Sequence, residues 1–222
     1  MNSNAGLAMR GLKWAGGMAL CLAWLVPNHM SPWTAFYNDS TAVVAVLVWA
    51  CLVALSARKV LVPLFAMFVL GMSAIPVIQF LFGLIDFGGD AVMATSYLAL
   101  CGLSVVVGAN LKILDGRFPI FLAWVCLTGA MVSLILAMHQ WLGLGQLGIW
   151  LIDMPPYGRP YANLGQPNNL ATLLCLGLAA ALYLRERGQF GRAVLALLAV
   201  MLLAGIAMTR SRTAILAILV MA

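Results

Sequence analysis

The feature that most constrains this chain is a recurring run of about 18–24 residues with almost no charge. Such runs lie at roughly 10–27, 40–57, 60–83, 91–109, 119–139, 168–185 and 192–209. About 17–25 apolar residues are needed to cross the hydrocarbon core of a bilayer as a helix. In lipid every backbone N–H and C=O must find a partner within the protein, and a helix does this by itself. Composition agrees: 64% of the 222 residues are hydrophobic and 8% are charged, against roughly 25% charged in a soluble domain. There is too little polar surface to cover a water-soluble globule. The expected fold is therefore all-α, a polytopic transmembrane helical bundle with about seven complete spans plus the start of an eighth. Arg10 and Lys13 give the first run a basic start, and it has no small-residue cleavage site before Pro27. It is expected to stay as a helix rather than be removed as a signal peptide. The eighth run begins near 212 and reaches Ala222 in mid-pattern. Residues 1–222 are therefore expected to be the N-terminal part of one transmembrane domain, or a natural truncation of it.

Charge sets an expected orientation. With the N-terminus inside, Arg10, Lys13, Arg58, Lys59, Lys112, Arg117, Arg185, Arg187 and Arg192 fall on the inner side. Only Arg159, Arg210 and Arg212 fall outside. That is a positive-inside pattern. Asp39, Asp86, Asp90 and Asp153 fall outside. The net charge of +6 is then a matter of topology and gives no reason to expect nucleic-acid binding. Trp33, Phe36, Tyr37, Trp141, Trp150, Tyr157 and Tyr161 sit in or beside outer loops, where amphipathic rings are favoured. The five cysteines lie in apolar runs without CxxC spacing and are expected to be small buried hydrophobes. No Walker loop, HExxH, GxSxG or paired intramembrane carboxylate is present, so no metal or cofactor is expected.

The longest outer connection, residues 140–167, has two halves. "WLGLGQLGIWLI" is apolar but too short to span, and is expected to be interfacial or re-entrant. "RPYANLGQPNNLATLL", residues 159–174, concentrates Arg159, Asn163, Gln166, Asn168 and Asn169 at the entrance to the sixth span. Gln166, before Pro167, should be extended. Gly165 should allow a sharp turn, and Asn168 or Asn169 should cap the helix. In "TRSRTAILAILV" Ser211 or Thr213 should cap the eighth span, with Arg210 and Arg212 beside it. Helix N-termini attract anions, and arginine grips phosphate with two parallel hydrogen bonds. A phosphate-bearing ligand at the outer interface is one reading of this layout. Snorkelling arginines with no ligand are the other. Residues two apart on a helix point to different sides, which favours Arg212 over Arg210. In "IPVIQFLFG", Pro76 should kink the third span. Gln79 is either a site residue or an interhelical hydrogen bonder. His29 and His139 are weaker candidates, more often structural.

These stretches together resemble the bacterial O-antigen ligase superfamily. The branch is that of pilin glycosylation ligases, or O-linked oligosaccharyltransferases. "RPYANLGQPNNLATLL" followed one hairpin later by "TRSRTAILAILV" carries the resemblance, and "VPNHMSPWTAFYND" and "IPVIQFLFGLIDFGGD" fit it too. The resemblance implies a multi-pass enzyme of the bacterial inner membrane. It would take an oligosaccharide from an undecaprenyl-diphosphate carrier on the periplasmic face. The acceptor would be a Ser or Thr hydroxyl of a pilin-like protein, or a lipid A core sugar in the sister branch. Partners would be that carrier, the acceptor and membrane lipid. Substrate-binding candidates are Arg212, Arg210, Arg159, Gln166, Asn168, Asn163 and Gln79, and no catalytic residue is assigned. The family often has His where this chain has Asn169. Similar proteins continue into further spans and a second large periplasmic loop whose histidine acts on the acceptor hydroxyl. Alternatives are an O-antigen ligase or polymerase with a saccharide acceptor, a truncated non-catalytic paralogue, and a transporter or flippase with a broken-helix site. Neither an inverted repeat nor a midplane charge supports the last.

Overall fold

A computed structural model of the chain describes residues 3–27, 35–144 and 147–212, with side chains from residue 7. His29, Trp33, Thr213 and the remainder of the eighth run lie outside the described residues. The fold is all-α. Helices α1 (Ser3–Leu25), α2 (Phe36–Ser56), α3 (Leu64–Met72), α4 (Ala74–Leu81), α5 (Gly88–Leu114), α6 (Phe118–Leu142), α7 (Pro167–Glu186) and α8 (Arg192–Thr209) follow the apolar runs in order. Six helical stretches are long and apolar enough to cross a membrane: α2, the α3–α4 pair, α5, α6, α7 and α8. The protein is a multi-pass membrane protein. The expected count of complete spans is thus one too high among the described residues. Helix α1 has 23 residues, but Arg10 and Lys13 fall within it and dilute its apolar character. Arg212 is again helical.

The third run breaks in two. Helix α3 ends at Met72, Ser73 forms the joint, and α4 resumes at Ala74. Pro76 is the cause: its ring clashes with the carbonyl four residues back, which belongs to Met72. The Ser73 N–H and hydroxyl both turn back onto the Leu70 carbonyl, at 3.2 and 2.6 Å.

Two compact units emerge, Met1–Gly16 with Val43–Phe118, and Gly17–Ala42 with Pro119–Ala222. In the first, Gly102 of α5 lets Leu70 of α3 lie directly against the helix. Asn110 clamps the chain before α3: its amide donates to the Leu61 carbonyl at 2.8 Å and accepts from the Leu61 N–H at 2.9 Å. Lys13 pairs with Asp115 at 2.9 Å, and the Trp49 indole donates to the Lys13 carbonyl at 3.1 Å. The Lys13 hydrogen bond, with the Arg117 N–H, holds the Asp115 carboxyl below its ordinary value against the opposing effect of burial.

The second unit has a dense core made by α6, α7 and α8. Leu134, Leu170, Leu174, Ala181, Leu184 and Leu202 are essentially inaccessible. Glycines set the closeness of approach. A side chain at Gly177 would collide with Ala130 of α6, and one at Gly205 would collide with Leu134. Small residues at crossings let backbones approach, which is how helices gain attraction in lipid. All five cysteines are free thiols.

Candidate functional site

Between α6 and α7 the chain forms an irregular strap, residues 143–166. It contains neither a span nor a re-entrant helix among the described residues, only a single 3-10 turn at Gly148–Trp150. A strap of this kind must satisfy its backbone groups without a ladder. Two buried amides do so. Gln140, in the last turn of α6, donates to the carbonyls of Ile152 and Ala162 at 2.8 and 3.1 Å. Its oxygen accepts from the N–H groups of Tyr161 and Ala162 at 3.1 and 2.8 Å. Asn163 donates to the carbonyls of Leu25 and Trp150, both at 2.8 Å, and accepts from the Ile152 N–H at 3.2 Å. Ala162 is forced to a positive φ of 52° between the two clamps. The Tyr161 hydroxyl donates to the Asp153 carbonyl at 2.7 Å. Burial, and then the Asp153 charge, push its phenol up from the ordinary value, so it remains a donor.

The entrance to α7 follows the expected backbone but not the expected caps. Gly165 has φ +67°, and Gln166 is extended at φ −148°, ψ 134° as the residue preceding the helix. Asn168 and Asn169 are not caps. The helix starts with Pro167 in its first turn and has no side-chain cap, so both asparagines lie inside it. The Asn169 and Leu170 N–H groups already donate to the Gln166 carbonyl, at 3.1 and 3.2 Å. Proline has no N–H. The α7 start is therefore poorer in free donors than its sequence suggests, with the Asn168 N–H left over.

The "TRSR" stretch falls at the expected break between two apolar runs. Arg210 and Arg212 do not share a helix. Arg210 ends α8 in the left-handed conformation, φ 50°, ψ 34°, with its N–H on the Ala207 carbonyl. A non-glycine residue in that conformation is strained by about 1–2 kcal/mol. Arg212 is helical. Thr209 and Ser211 are buried on either side, while Arg210 and Arg212 are exposed. Both arginine side chains can thus reach outward, because the helix is interrupted between them.

The α7–α8 hairpin brings these two stretches to one end. Leu174 meets Gly205, and Leu202 meets Gly177. Each step back along α7 therefore matches a step forward along α8. Carried to the end, this register sets Asn168 and Asn169 across from Arg210 and Ser211. Arg159 is exposed on the strap, beside buried Pro160. None of the three arginines pairs with a carboxylate among the described residues. Asn163 is 1% exposed and its amide holds backbone, so it shapes the strap from within. Gln166 is exposed and Asn168 half-buried. Gln79 belongs to the other unit, exposed on α4, with its carbonyl accepting from Leu84 at 2.8 Å.

Sequence reasoning missed Gln140. Its signal was present: an amide in the last turn of an apolar helix, just before a segment with no regular structure. It also missed Asn38, whose amide donates to the carbonyls of Ala23 and Val26 at 2.8 and 3.4 Å. An open cleft of about 340 Å³ lies beside the α7 entrance, lined by Trp24 of α1, Asn38 and Asp39 of α2, and Leu164, Asn169 and Thr172. A second, of similar size, is bordered by His139, Gln140 and Asp153. The His139 Nδ1 is buried with no hydrogen-bond partner among the described residues.

The chain is similar to known proteins both in part of this region and over most of its length. Residues 160–184, the end of the strap and most of α7, match the model of a protein glycosylation ligase family. The chain is 30% identical over 198 residues to a general O-oligosaccharyltransferase of Acinetobacter baylyi, covering 88% of this chain and 34% of that protein. It is 30% identical over 202 residues to a ComP-specific O-oligosaccharyltransferase of the same organism, covering 90% of this chain and 36% of that one. The chain thus spans about a third of the length of the curated relatives it matches. No solved structure matches it significantly.

Proposed function

We propose that this chain is the N-terminal part of a membrane glycosyltransferase, one that resembles its O-oligosaccharyltransferase relatives in activity. It moves an oligosaccharide from an undecaprenyl-diphosphate carrier to a Ser or Thr hydroxyl of a protein on the periplasmic face of the bacterial inner membrane. What supports this reading is the family match over the end of the strap and most of α7, together with the two O-oligosaccharyltransferase relatives that align with most of the chain. At one end of the α7–α8 hairpin the register sets the α7 entrance across from Arg210 and Ser211. Arg210 and Arg212 are exposed and have no carboxylate partner among the described residues, and Arg159 stands on the strap. Fixed cations of this kind can bind the carrier diphosphate and stabilise the charge that grows on it as the glycan leaves. Their task would be to hold the leaving group.

The orientation proposed is N-terminus in the cytoplasm and strap in the periplasm, from the distribution of Lys and Arg. A reporter fused at residue 160 should be active only as a periplasmic enzyme; activity only as a cytoplasmic one sinks the orientation. For the site, lysine keeps the charge of arginine but loses its planar two-point grip. In cells carrying the whole reading frame, a lipid-linked glycan and an acceptor protein, Arg212→Lys should remove most transfer while membrane insertion is unchanged. Arg212→Ala should add only a modest further loss. Normal transfer by Arg212→Lys would return the outer arginines to the role of interfacial anchors. A saccharide acceptor is the second reading, and transfer to lipid A core rather than to protein in the same cells would establish it.

A further inference from the structure

In the first unit, α1, α2, the end of α5 and the turn after it enclose a pocket of about 260 Å³. Two ties hold it in shape. The Lys13 ammonium meets the Asp115 carboxylate at 2.9 Å, and the Lys13 carbonyl accepts from the Trp49 indole of α2 at 3.1 Å. Gly16 leaves the room that the Trp49 ring occupies. The walls are apolar: Leu52, Leu111 and Phe118 are buried, and Met9 and Leu114 complete them. Charge at the pocket is unbalanced. Three charged side chains line it, Arg10, Lys13 and Asp115. Both Asp115 oxygens are engaged, one by Lys13 and the other by the Arg117 N–H. Arg10 is exposed and has no carboxylate partner among the described residues. One positive charge is therefore left over at the pocket. Lys112 and Arg117, both exposed, make the chain around Asp115 more basic still. The last carbonyls of α5 oppose an anion here, but a helix end carries only about half a charge.

An anion complements the surplus cation, and an alkyl chain complements the walls. A ligand that brings both, and that a bilayer supplies, is an anionic phospholipid. Basic pockets between membrane helices suit such head groups. The volume is below the roughly 300–1,000 Å³ of pockets that enclose a whole small molecule. The pocket therefore takes part of a lipid and leaves the rest in the bilayer. We propose that it binds an anionic phospholipid, with the phosphate on Arg10 and the upper part of an acyl chain against Leu52, Leu111 and Phe118. This site is separate from glycan transfer and stands whether or not the chain performs it.

The test is native mass spectrometry of the purified protein, equilibrated with equal amounts of phosphatidylglycerol and phosphatidylcholine. Phosphatidylglycerol should be retained about fivefold more, the worth of one basic side chain at a lipid surface. Arg10→Gln, on an exposed side chain, should erase that preference, and Arg10→Lys should keep it. Lys112→Gln lies outside the lining and should keep most of it. No preference by the unaltered protein overturns the proposal. So does a preference that survives Arg10→Gln. Equal losses from Arg10→Gln and Lys112→Gln overturn it as well, because the attraction would then be spread over the basic surface rather than held in the pocket. Added inorganic pyrophosphate should leave retention unchanged, since it cannot use the apolar walls. Displacement by pyrophosphate would assign the pocket to a soluble anion and overturn the lipid assignment.

Discussion

Helices α6 and α7 have 56% of their spans buried within the protein, whereas α5 and the α3–α4 pair have 17%. Both regions are equally apolar by composition, yet they use that apolarity differently. In the second unit, leucine side chains interlock across helices brought close by Gly177 and Gly205. In the first, Leu64, Phe65, Phe68, Leu81 and Phe82 are exposed, and lipid can solvate them without loss. The contrast shows that hydropathy in a membrane chain identifies spans but does not identify the core. Lipid tails are as apolar as leucine, so what distinguishes a core helix is close packing and small residues at crossings. The candidate site is built on the packed region, where a fixed scaffold can hold an irregular strap in one conformation.

The sharpest way to break this comparison is a matched pair of truncations. Leu174 is inaccessible and Leu64 is 83% exposed. Leu174→Ala should cost about 2–5 kcal/mol through a cavity that cannot collapse, read as a large fall in thermal unfolding midpoint in detergent. Leu64→Ala should cost little, because lipid or detergent refills the space. Similar losses for both would mean that the first unit is packed as tightly as the second.

A smaller effect is expected from adding one methyl. Gly177→Ala drives its Cβ into Ala130 and should destabilise by about 1–3 kcal/mol as the helices shift apart. Gly71, on α3, has open space where its side chain would be. Gly71→Ala should be neutral or slightly stabilising, since alanine is the better helix former. Loss of yield and stability by Gly71→Ala would reveal a neighbour packed against that face.

The smallest effect concerns pH. Asp115 has a depressed carboxyl pKa in the folded state, mainly through Lys13. The stability this contributes is present above the ordinary carboxylate value, about 4, and is lost as pH falls through the lower folded value. Asp115→Asn should therefore flatten the loss of stability below about pH 4 and change nothing in the acid response of the strap. The pair is substantially exposed, so the change should be slight. An unaltered acid profile would show that the Lys13 pair contributes nothing measurable.

Local chain physics decided much of this protein. Lipid leaves a backbone no partner but itself, so long apolar runs had to become helices, and their ends agree within four residues except where α1 starts seven residues early and α5 runs five residues on. Pro76 had to break its helix, Gln166 had to be extended before Pro167, and Gly165 had to take the turn. These follow from sterics acting within about four residues. The caps did not follow, because Pro167 moved the helix start ahead of both asparagines. Nor did the roles of Gln140 and Asn163: an amide's bonds depend on which carbonyls the fold brings near, such as Leu25, 138 residues away from Asn163. The exposure of both Arg210 and Arg212 depends on Arg210 ending α8 in the left-handed conformation. The pairing of the α7 entrance with that end depends on the glycine-set register of the hairpin. Side-chain chemistry is written residue by residue, but which groups face one another is a long-range property, and only packing chose it.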